Sequence, residues 1–335
     1  MTKQYYLWDY DELRCRQDWR GILIGNGASM AVSSRFGYKS LYRYAVAHGK
    51  LGKEDRRLFR SFNTTNFEAV LSALSTAKVV NDILGLDTTL IETHKMRIMA
   101  ALVESVSGVH IGYESVPEDT LERIRCSLNE YRFVFTTNYD LLTYWCINFG
   151  DDPQHKDFFW TEEVDDSIEF AFGDTDVAER AKRIYWLHGA LHIYREAGLS
   201  SRDLKRVNDS TDLLTKFGEP LGNDAVPLLV TEGSSEWKMD RIKDASYLSF
   251  CYEAFRQFQE SLVIFGHSLS DTDRHIVKAM RSRHCESIAV SIRLKPNEGH
   301  FQDMDGYRER LDRQDIWFFD ASSHPLGNPA NEVGD

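Results

Sequence analysis

The sequence predicts an α/β protein of Rossmann type, in which helices cover both faces of a mostly parallel sheet. Short apolar runs recur along the chain, and most of them are followed or separated by segments with apolar residues at helical spacing. Hydrophobic residues make up 42% and charged residues 27% of the 335 residues, which is typical of a globular protein and argues against a disordered or fibrous one. Strands that alternate with helices favour parallel pairing, because each crossover returns the chain to the same end of the sheet.

Seven segments are predicted as buried strands because they are short, apolar and bounded by small or polar residues. Four of them end where a ligand could bind, namely residues 21–24, 133–135, 184–187 and 262–265. The others are residues 226–230, 288–292 and 316–319. Helical patterns cover residues 41–48, 141–148, 246–260, 273–281 and 304–311.

Two insertions are predicted within a single sheet domain that spans residues 1–320. Residues 50–130 contain apolar side chains at helical spacing and no good strand, which predicts a helical insertion. Residues 151–223 are rich in charged and aromatic side chains, which predicts an irregular insertion, and residues 184–194 favour a hairpin. Residues 321–335 are expected to form a flexible tail.

The charge balance bears on possible partners. Asp and Glu number 52 against 40 Lys and Arg, a net charge of −12, which argues against a protein that mainly binds nucleic-acid backbones. No apolar run approaches the roughly 20 residues needed to cross a bilayer, and the first 19 residues are too polar for a signal peptide. We therefore expect a cytoplasmic protein that contacts neither a membrane nor nucleic acid directly.

The five cysteines are widely separated along the chain. None forms a CxxC pair, so the sequence excludes a zinc site of that type and gives no support for a disulfide framework. We expect reduced thiols and no bound zinc.

The first motif, GILIGNGASMA at residues 21–31, predicts a strand, a glycine turn and a helix. Gly25 and Asn26 would form the tight turn, Gly27 would let a phosphate approach the backbone, and Ser29 with the helix amides would accept an anion. Met30 stands where a complete GxGxxG motif has its third glycine, and no acidic residue ends the next strand. A tight turn without a ligand remains an equal alternative.

The second motif, FVFTTNYDLL at residues 133–142, brings polar residues to the carboxyl end of a strand. Thr137 follows the strand, Asn138 offers a donor and an acceptor, and Asp140 offers a carboxylate, so the segment could orient a sugar hydroxyl and an amide. The alternative is that Asn138 or Asp140 caps the helix that follows.

Two further motifs follow strands. In IYWLHGA, residues 184–190, His188 could act as a general base, because the ordinary histidine pKa is about 6.5; a structural role is the alternative. In LVIFGHSLSDTD, residues 262–273, Gly266 and Ser268 could hold a ribose or phosphate, and Asp271 is either a helix cap or a ribose contact. Glu68 is a more distant site candidate.

The order GNGAS, TTNYD, LHG and FGHSLSD resembles the sirtuin family, whose members bind NAD with a GAGxS turn, a TQNxD segment, an HG histidine and a GTS turn. The resemblance implies that Asn138 and Asp140 lie near the nicotinamide ribose and carboxamide and that His188 is the base. It also implies phosphate contacts at the first turn, adenosine contacts at the last, and an aromatic cover for nicotinamide. The predicted NAD-binding residues are Gly25, Asn26, Gly27, Ser29, Phe36, Thr137, Gly266, Ser268 and Asp271.

The missing CxxC pairs separate this chain from the protein-deacylating sirtuins, which carry a zinc module. The helical stretch and the TNYD variant look instead like the bacterial sirtuin-like proteins that hydrolyse NAD in anti-phage abortive infection. The resemblance therefore implies an NAD glycohydrolase that uses NAD as its substrate and forms a homo-oligomer or works beside an ATPase or nucleic-acid sensor. An NAD-dependent protein deacylase and a non-enzymatic sensor of an NAD-derived nucleotide are the alternatives.

Overall fold

A computed structural model of the protein describes residues 6–150, 153–164, 167–196, 202–206, 225–231, 235–282, 285–294 and 301–334. The predicted α/β architecture is confirmed: an eight-stranded parallel sheet is flanked by helices. Across the sheet the strands follow the order β1 (Leu7–Trp8), β13 (Ile316–Asp320), β12 (Ile288–Ile292), β11 (Leu262–Phe265), β2 (Gly21–Ile24), β3 (Phe133–Thr136), β7 (Lys182–Trp186) and β4 (His155–Lys156).

The central strands are buried on both faces, which explains their nearly continuous apolar sequences. Every residue of β2, β11 and β12 is buried. Each of these strands pairs in parallel with its neighbours, so the carboxyl ends of all of them meet at one edge. Six of the seven predicted strands lie in this sheet.

The connections reverse direction at β2. From β2 the chain proceeds to β3 on one side, whereas from β11, the neighbour on the other side, it proceeds outward to β12. Such a switch point opens a crevice beyond the carboxyl ends of the two strands, where ligands bind in open α/β sheets.

A second, antiparallel sheet was not predicted. Its order is β10 (Ala225–Leu229), β8 (Gly189–Glu196), β9 (Arg202–Arg206), β6 (Ser167–Glu169) and β5 (Glu162–Val164). The predicted hairpin at residues 184–194 is wrong, because β7 pairs with β3 and β4 in the first sheet, whereas β8 pairs with β9 and β10 in the second. Gly189 allows this change of sheet: its φ is +75°, and any Cβ there would clash with the carbonyl oxygen of Leu228.

The helices are α1 (Tyr10–Arg14), α2 (Asn26–Val32), α3 (Tyr38–Ala47), α4 (Lys53–Ser61), α5 (Phe67–Ile83), α6 (Thr89–Val109), α7 (Glu118–Leu128), α8 (Leu142–Ile147), α9 (Ser235–Asp244), α10 (Ser246–Gln257), α11 (Arg274–Ser282) and α12 (Phe301–Leu311). Helices α4 to α7 occupy most of residues 50–130, where a helical insertion is predicted, and no strand interrupts them. Asn66 caps α5 by accepting a hydrogen bond from the Glu68 amide at 2.9 Å. In the described parts of the chain, no helix is both long enough and apolar enough to cross a membrane.

The segment after β13 is packed, so the prediction of a flexible tail is wrong for residues 321–334. Three short 3-10 turns follow the strand, and His324 and Asn331 are completely buried. His324 Nε2 lies 3.1 Å from the hydroxyl of Tyr131, and the Val333 amide donates to the Val32 carbonyl at 2.7 Å. The sequence shows no periodicity here, because these turns are stabilised by distant partners rather than by a repeated apolar face.

Candidate functional site

A cavity of about 290 Å³ lies at the carboxyl ends of the central strands. All four motifs contribute to its lining, with Gly27, Asn138, Asp140, His188 and Gly266. Apolar walls complete it: Met30, Phe36 and Leu41 come from the segment after β2, and Leu102 and Val106 come from α6. Mostly apolar walls with a few converging polar groups are the usual composition of a small-molecule site.

A second cavity, of about 610 Å³, continues the first along the same edge of the sheet. The two share a boundary formed by Gly27, Met30, Gly266, His267 and Ser268. The second extends past the ends of β12 and β13. The crevice therefore has two compartments joined at the glycine turns, a shape suited to a ligand with two parts.

The glycine turns contact each other, and this contact explains why they lack side chains. A Cβ on Gly27 would lie 2.6 Å from Gly266 Cα, and one on Gly266, whose φ is +64°, would lie 2.7 Å from Gly27 Cα. Gly25 has an ordinary φ of −113°, but its Cβ would lie 2.6 Å from the Gly266 oxygen. The requirement for glycine is thus close packing of two turns.

The predicted phosphate contact at the first turn needs a correction. The Gly27 amide donates to the Gly266 carbonyl at 2.9 Å, and the Ala28 amide donates to the Gly25 carbonyl at 3.0 Å. These amides are already paired, so in this conformation they are not free to hold an anion. Ser29 is also engaged, in the network described next.

Ser29, Asn138 and Asp140 form a buried hydrogen-bond network beside the cavity. Ser29 Oγ donates to Asp140 Oδ2 at 2.5 Å, and Asn138 Nδ2 donates to Ser29 Oγ at 2.9 Å and to the Gly25 carbonyl at 3.2 Å. Asn138 Oδ1 is buried and has no partner among the described residues. An unpaired buried acceptor costs about 1–3 kcal/mol, so this oxygen marks a position where a ligand hydroxyl or a water can donate.

The structure separates the site and cap interpretations of the second motif. Asp140 Oδ1 accepts the Leu142 amide at 3.0 Å, at the start of α8, while its Oδ2 accepts from Ser29. Asp140 therefore caps the start of α8 and also lines the cavity, and its contact with a ligand stays a prediction. The side chain of Asn138 makes no hydrogen bond to α8, so the cap interpretation is wrong for Asn138.

His188 lies in the cavity wall and forms a chain with two other side chains. Its Nε2 is 2.8 Å from His275 Nε2, and His275 Nδ1 is 3.3 Å from Ser235 Oγ. Burial lowers the pKa of His188 well below its ordinary value, and nearby Lys238 and His275 add to the effect. Burial also lowers the pKa of His275 to about 3. Both imidazoles are therefore neutral at pH 7.

A buried lysine stands behind this part of the cavity. Lys238 is completely buried, and its Nζ lies 2.8 Å from Asp273 Oδ1 and 3.3 Å from Glu68 Oε2. Glu68 and Asp273 both line the cavity. The sequence does not reveal this cluster, because its members come from α5, α9 and the turn before α11, and Lys238 sits in a charged helical segment without a motif.

The two carboxylates affect the electrostatics of the cavity. Burial raises the pKa of Glu68, and Lys238 opposes this rise. Burial also disfavours the charged form of Asp273, but Lys238 and His267 outweigh it and hold the pKa of Asp273 below its ordinary value. The negative charge of Glu68, followed by burial, raises the pKa of Tyr38 well above its ordinary value.

The remaining predicted residues that line the cavity are Asn26, Phe36, Thr137 and Ser268. Asn26 Nδ2 donates to the Phe36 carbonyl at 3.2 Å, and the Phe36 ring lines the cavity. Thr137 lines the same cavity, with its hydroxyl 3.4 Å from the Ile24 carbonyl. Ser268 is exposed and borders both compartments.

Asp271 is a correction, because it lies outside both compartments. Its side chain is 87% exposed and pairs with Arg274 at 3.1 Å. Ser270, not Asp271, is the N-cap of the short turn. Asp273, two residues later, is the carboxylate that faces the cavity. The sequence offers two aspartates in SDTD, and only the geometry of the turn distinguishes them.

The histidine chain includes a group of residues of the types that bind metals. Ligand atoms of His188, Asp273 and His275 lie within 4.8 Å of one another, and residues of these types bind divalent metals such as zinc. However, the two imidazoles are hydrogen-bonded to each other, and the Lys238 ammonium occupies Asp273 Oδ1. These atoms are thus engaged in contacts within the protein. The absence of zinc stays a prediction.

No curated protein matches the chain. A family model described as "Domain of unknown function (DUF4917)" matches residues 22–324, a range that contains every residue lining the cavity of about 290 Å³. Because this match covers most of the sequence, the protein belongs to the family defined by this domain of unknown function.

Proposed function

We propose that the protein is an NAD glycohydrolase, which adds water across the nicotinamide N-glycosidic bond and releases nicotinamide, ADP-ribose and a proton. The observation that carries the proposal is the unpaired, buried Oδ1 of Asn138 in the same cavity as the neutral His188. A buried acceptor and a buried base are what is needed to hold and deprotonate a water or a ribose hydroxyl.

The shape of the crevice supports a dinucleotide substrate. In the proposal, the nicotinamide riboside half occupies the cavity of about 290 Å³, and the adenosine half occupies the compartment of about 610 Å³. The pyrophosphate would cross the shared boundary near Gly27 and Gly266. Because the Gly27 amide is paired, Ser268 and the backbone around it are the better candidates for contacts to the phosphates.

One choice of tautomers gives both hydrogen bonds of the histidine chain one donor and one acceptor. If His275 Nδ1 donates to Ser235 Oγ, then His275 Nε2 must accept from His188 Nε2. His188 Nδ1 is then unprotonated and available as the base. Proton uptake at His188 Nδ1 leaves the Nε2 hydrogen bond to His275 intact, and this bond orients the ring.

The reaction passes through a transition state with oxocarbenium character, in which positive charge develops on the ribose. In our proposal Asn138 Oδ1 accepts from the attacking water or a ribose hydroxyl, and His188 takes the proton. Asp140, fixed by Ser29 and by the Leu142 amide, would receive the amide of nicotinamide. These groups are fixed before the substrate binds, so little energy is lost in aligning them.

The test is to incubate the purified protein with NAD and to measure free nicotinamide, with and without an acylated peptide. We expect nicotinamide and ADP-ribose in both samples. Release of nicotinamide that depends on the peptide would indicate the deacylase instead. Binding of NAD without any cleavage would indicate the sensor.

The biological setting follows from the same proposal. We propose a cytoplasmic effector of anti-phage abortive infection, which depletes NAD in the infected cell and acts as a homo-oligomer or beside an ATPase or nucleic-acid sensor. An enzyme that destroys a central metabolite must be inactive in healthy cells, so we expect a resting state and an activating signal. The acidic net charge of −12 is consistent with nucleic acid being recognised by the partner.

A further inference from the structure

We infer that Glu68 and Asp273 form a cation subsite, which selects the positively charged, oxidised nicotinamide ring over the neutral dihydronicotinamide. This inference rests on the proposed binding of NAD in the cavity. It adds a ligand class, oxidised pyridinium nucleotides, and assigns a binding role to two residues outside the His188 and Asn138 pair.

The two carboxylates lie in the cavity lining and share one buried partner. Glu68 from α5 and Asp273 from the turn before α11 both line the cavity. Lys238 is completely buried and contacts both carboxylates from behind, at 3.3 and 2.8 Å. The lysine therefore fixes the positions of the carboxylates and does not itself project into the space for the ligand.

The charge count leaves an excess of negative charge. When both carboxylates are ionised, they and the ammonium sum to one negative charge, whereas a structural ion pair would need only one carboxylate to neutralise Lys238. Asp140 adds a third carboxylate to the same lining. Glu68 raises the pKa of Tyr38, which also lines the cavity, in the direction expected of a nearby negative charge.

The oxidised and reduced nicotinamide rings have nearly the same size and carry the same carboxamide, so charge is the main property that a site can use to distinguish them. The apolar walls formed by Met30, Leu102 and Val106 exclude water and strengthen the attraction between a carboxylate and a pyridinium. A carboxylate about 6 Å from the pyridinium changes the Kd of the nucleotide by roughly one to two orders of magnitude, at an effective dielectric constant near 20–40.

The experiment compares the Kd of NAD⁺ with that of NADH by calorimetry, in a His188→Ala background in which turnover is slow. We expect the NADH to NAD⁺ ratio of Kd values to exceed 10 and to fall about tenfold or more in Glu68→Gln, which makes the cluster neutral. Glu54→Gln, an exposed position on α4, is the matched control and should leave the ratio unchanged.

A general loss of structure would weaken both nucleotides alike and would not change the ratio. Asp273→Asn makes the same change in net charge and replaces Glu68→Gln if that variant does not fold. An unchanged ratio in a folded neutral variant would overturn the inference.

The two proposals fail in different ways. If the native protein releases no nicotinamide but binds NAD⁺ much more tightly than NADH, hydrolysis is refuted and the cation subsite is supported. If it releases nicotinamide and binds both nucleotides equally, the subsite is refuted and hydrolysis is supported. If it binds neither nucleotide, both proposals are refuted.

Discussion

The substitution Asn138→Ala tests the proposed reaction most directly, because the structure predicts a large effect on activity and a small one on stability. The change removes two hydrogen bonds, to Ser29 Oγ at 2.9 Å and to the Gly25 carbonyl at 3.2 Å, which together contribute about 1–3 kcal/mol. It also removes the unpaired Oδ1, whose burial costs about 1–3 kcal/mol. The two terms oppose each other, so we expect a change in stability of at most about 2 kcal/mol.

That stability change corresponds to a fall in melting temperature of a few degrees at most, since a chain of this size moves by about 2–4 °C or less per kcal/mol. Nicotinamide release should fall by about 10²-fold or more, because a misplaced nucleophile costs that much even without a change in fold. Both quantities should be measured on one preparation. The control is Asn148→Ala, whose Nδ2 bonds to the Tyr144 carbonyl at 2.8 Å at the far end of α8.

The control should retain the activity of the unmodified protein. An Asn138→Ala protein that cleaves NAD at the original rate would refute the catalytic role of this amide and remove the main support for the hydrolase. Activity that merely follows the folded fraction would show that the side chain is structural. A loss of activity with an almost unchanged melting temperature is the result we expect.

Four further predictions concern the base, its protonation, metals and assembly. His188→Ala should lower turnover by about 10²-fold to 10⁴-fold while the protein still binds NAD, and a loss below threefold would make the histidine structural. Because burial lowers the pKa of His188, the imidazole stays neutral even somewhat below pH 6.5, where an ordinary histidine is protonated. We therefore expect kcat/KM to be flat between about pH 6 and 8. A fall in kcat/KM centred at pH 6.5 on the acid side would contradict this. Chelators should leave nicotinamide release unchanged, and a loss that zinc restores would revive the metal site at His188, Asp273 and His275. Light scattering should show a homo-oligomer, and a monomer at all concentrations would refute this. Ile83→Glu or Leu90→Glu should weaken the oligomer, because these apolar side chains are 79% and 72% exposed at the tip of the α5 and α6 pair.

The main sheet could be predicted because its strands are short, apolar and buried on both faces. A run such as residues 262–265 is recognisable without knowledge of its neighbours, since burial on both faces requires apolar residues at every position. The second sheet was missed for the opposite reason. Its strands β8 and β9 mix buried and partly exposed residues, and their pairing depends on partners that periodicity does not specify.

The four motifs located the cavity correctly, because parallel strands bring their carboxyl ends to one edge. The motifs could not reveal what lies behind that edge. His275, Lys238 and Asp273 act through contacts between distant segments, and each is an ordinary helix or turn residue in its local sequence. The glycines illustrate a related limit. The sequence predicts where the two glycine turns lie, but it does not show that the turns need glycine because they contact each other.

The helical insertion is part of the site, which bears on how an NAD hydrolase of this kind could be regulated. Helix α6 supplies Leu102 and Val106 to the cavity wall, and α5 supplies Glu68, which is joined through Lys238 to Asp273. A displacement of α5 would therefore move a carboxylate and leave the buried lysine with a single partner. Because α5 and α6 pack together, the polar side of the cavity at Glu68 and its apolar side at Leu102 and Val106 would change together. We therefore propose that an activating or inhibiting partner acts on the helical insertion rather than on the sheet.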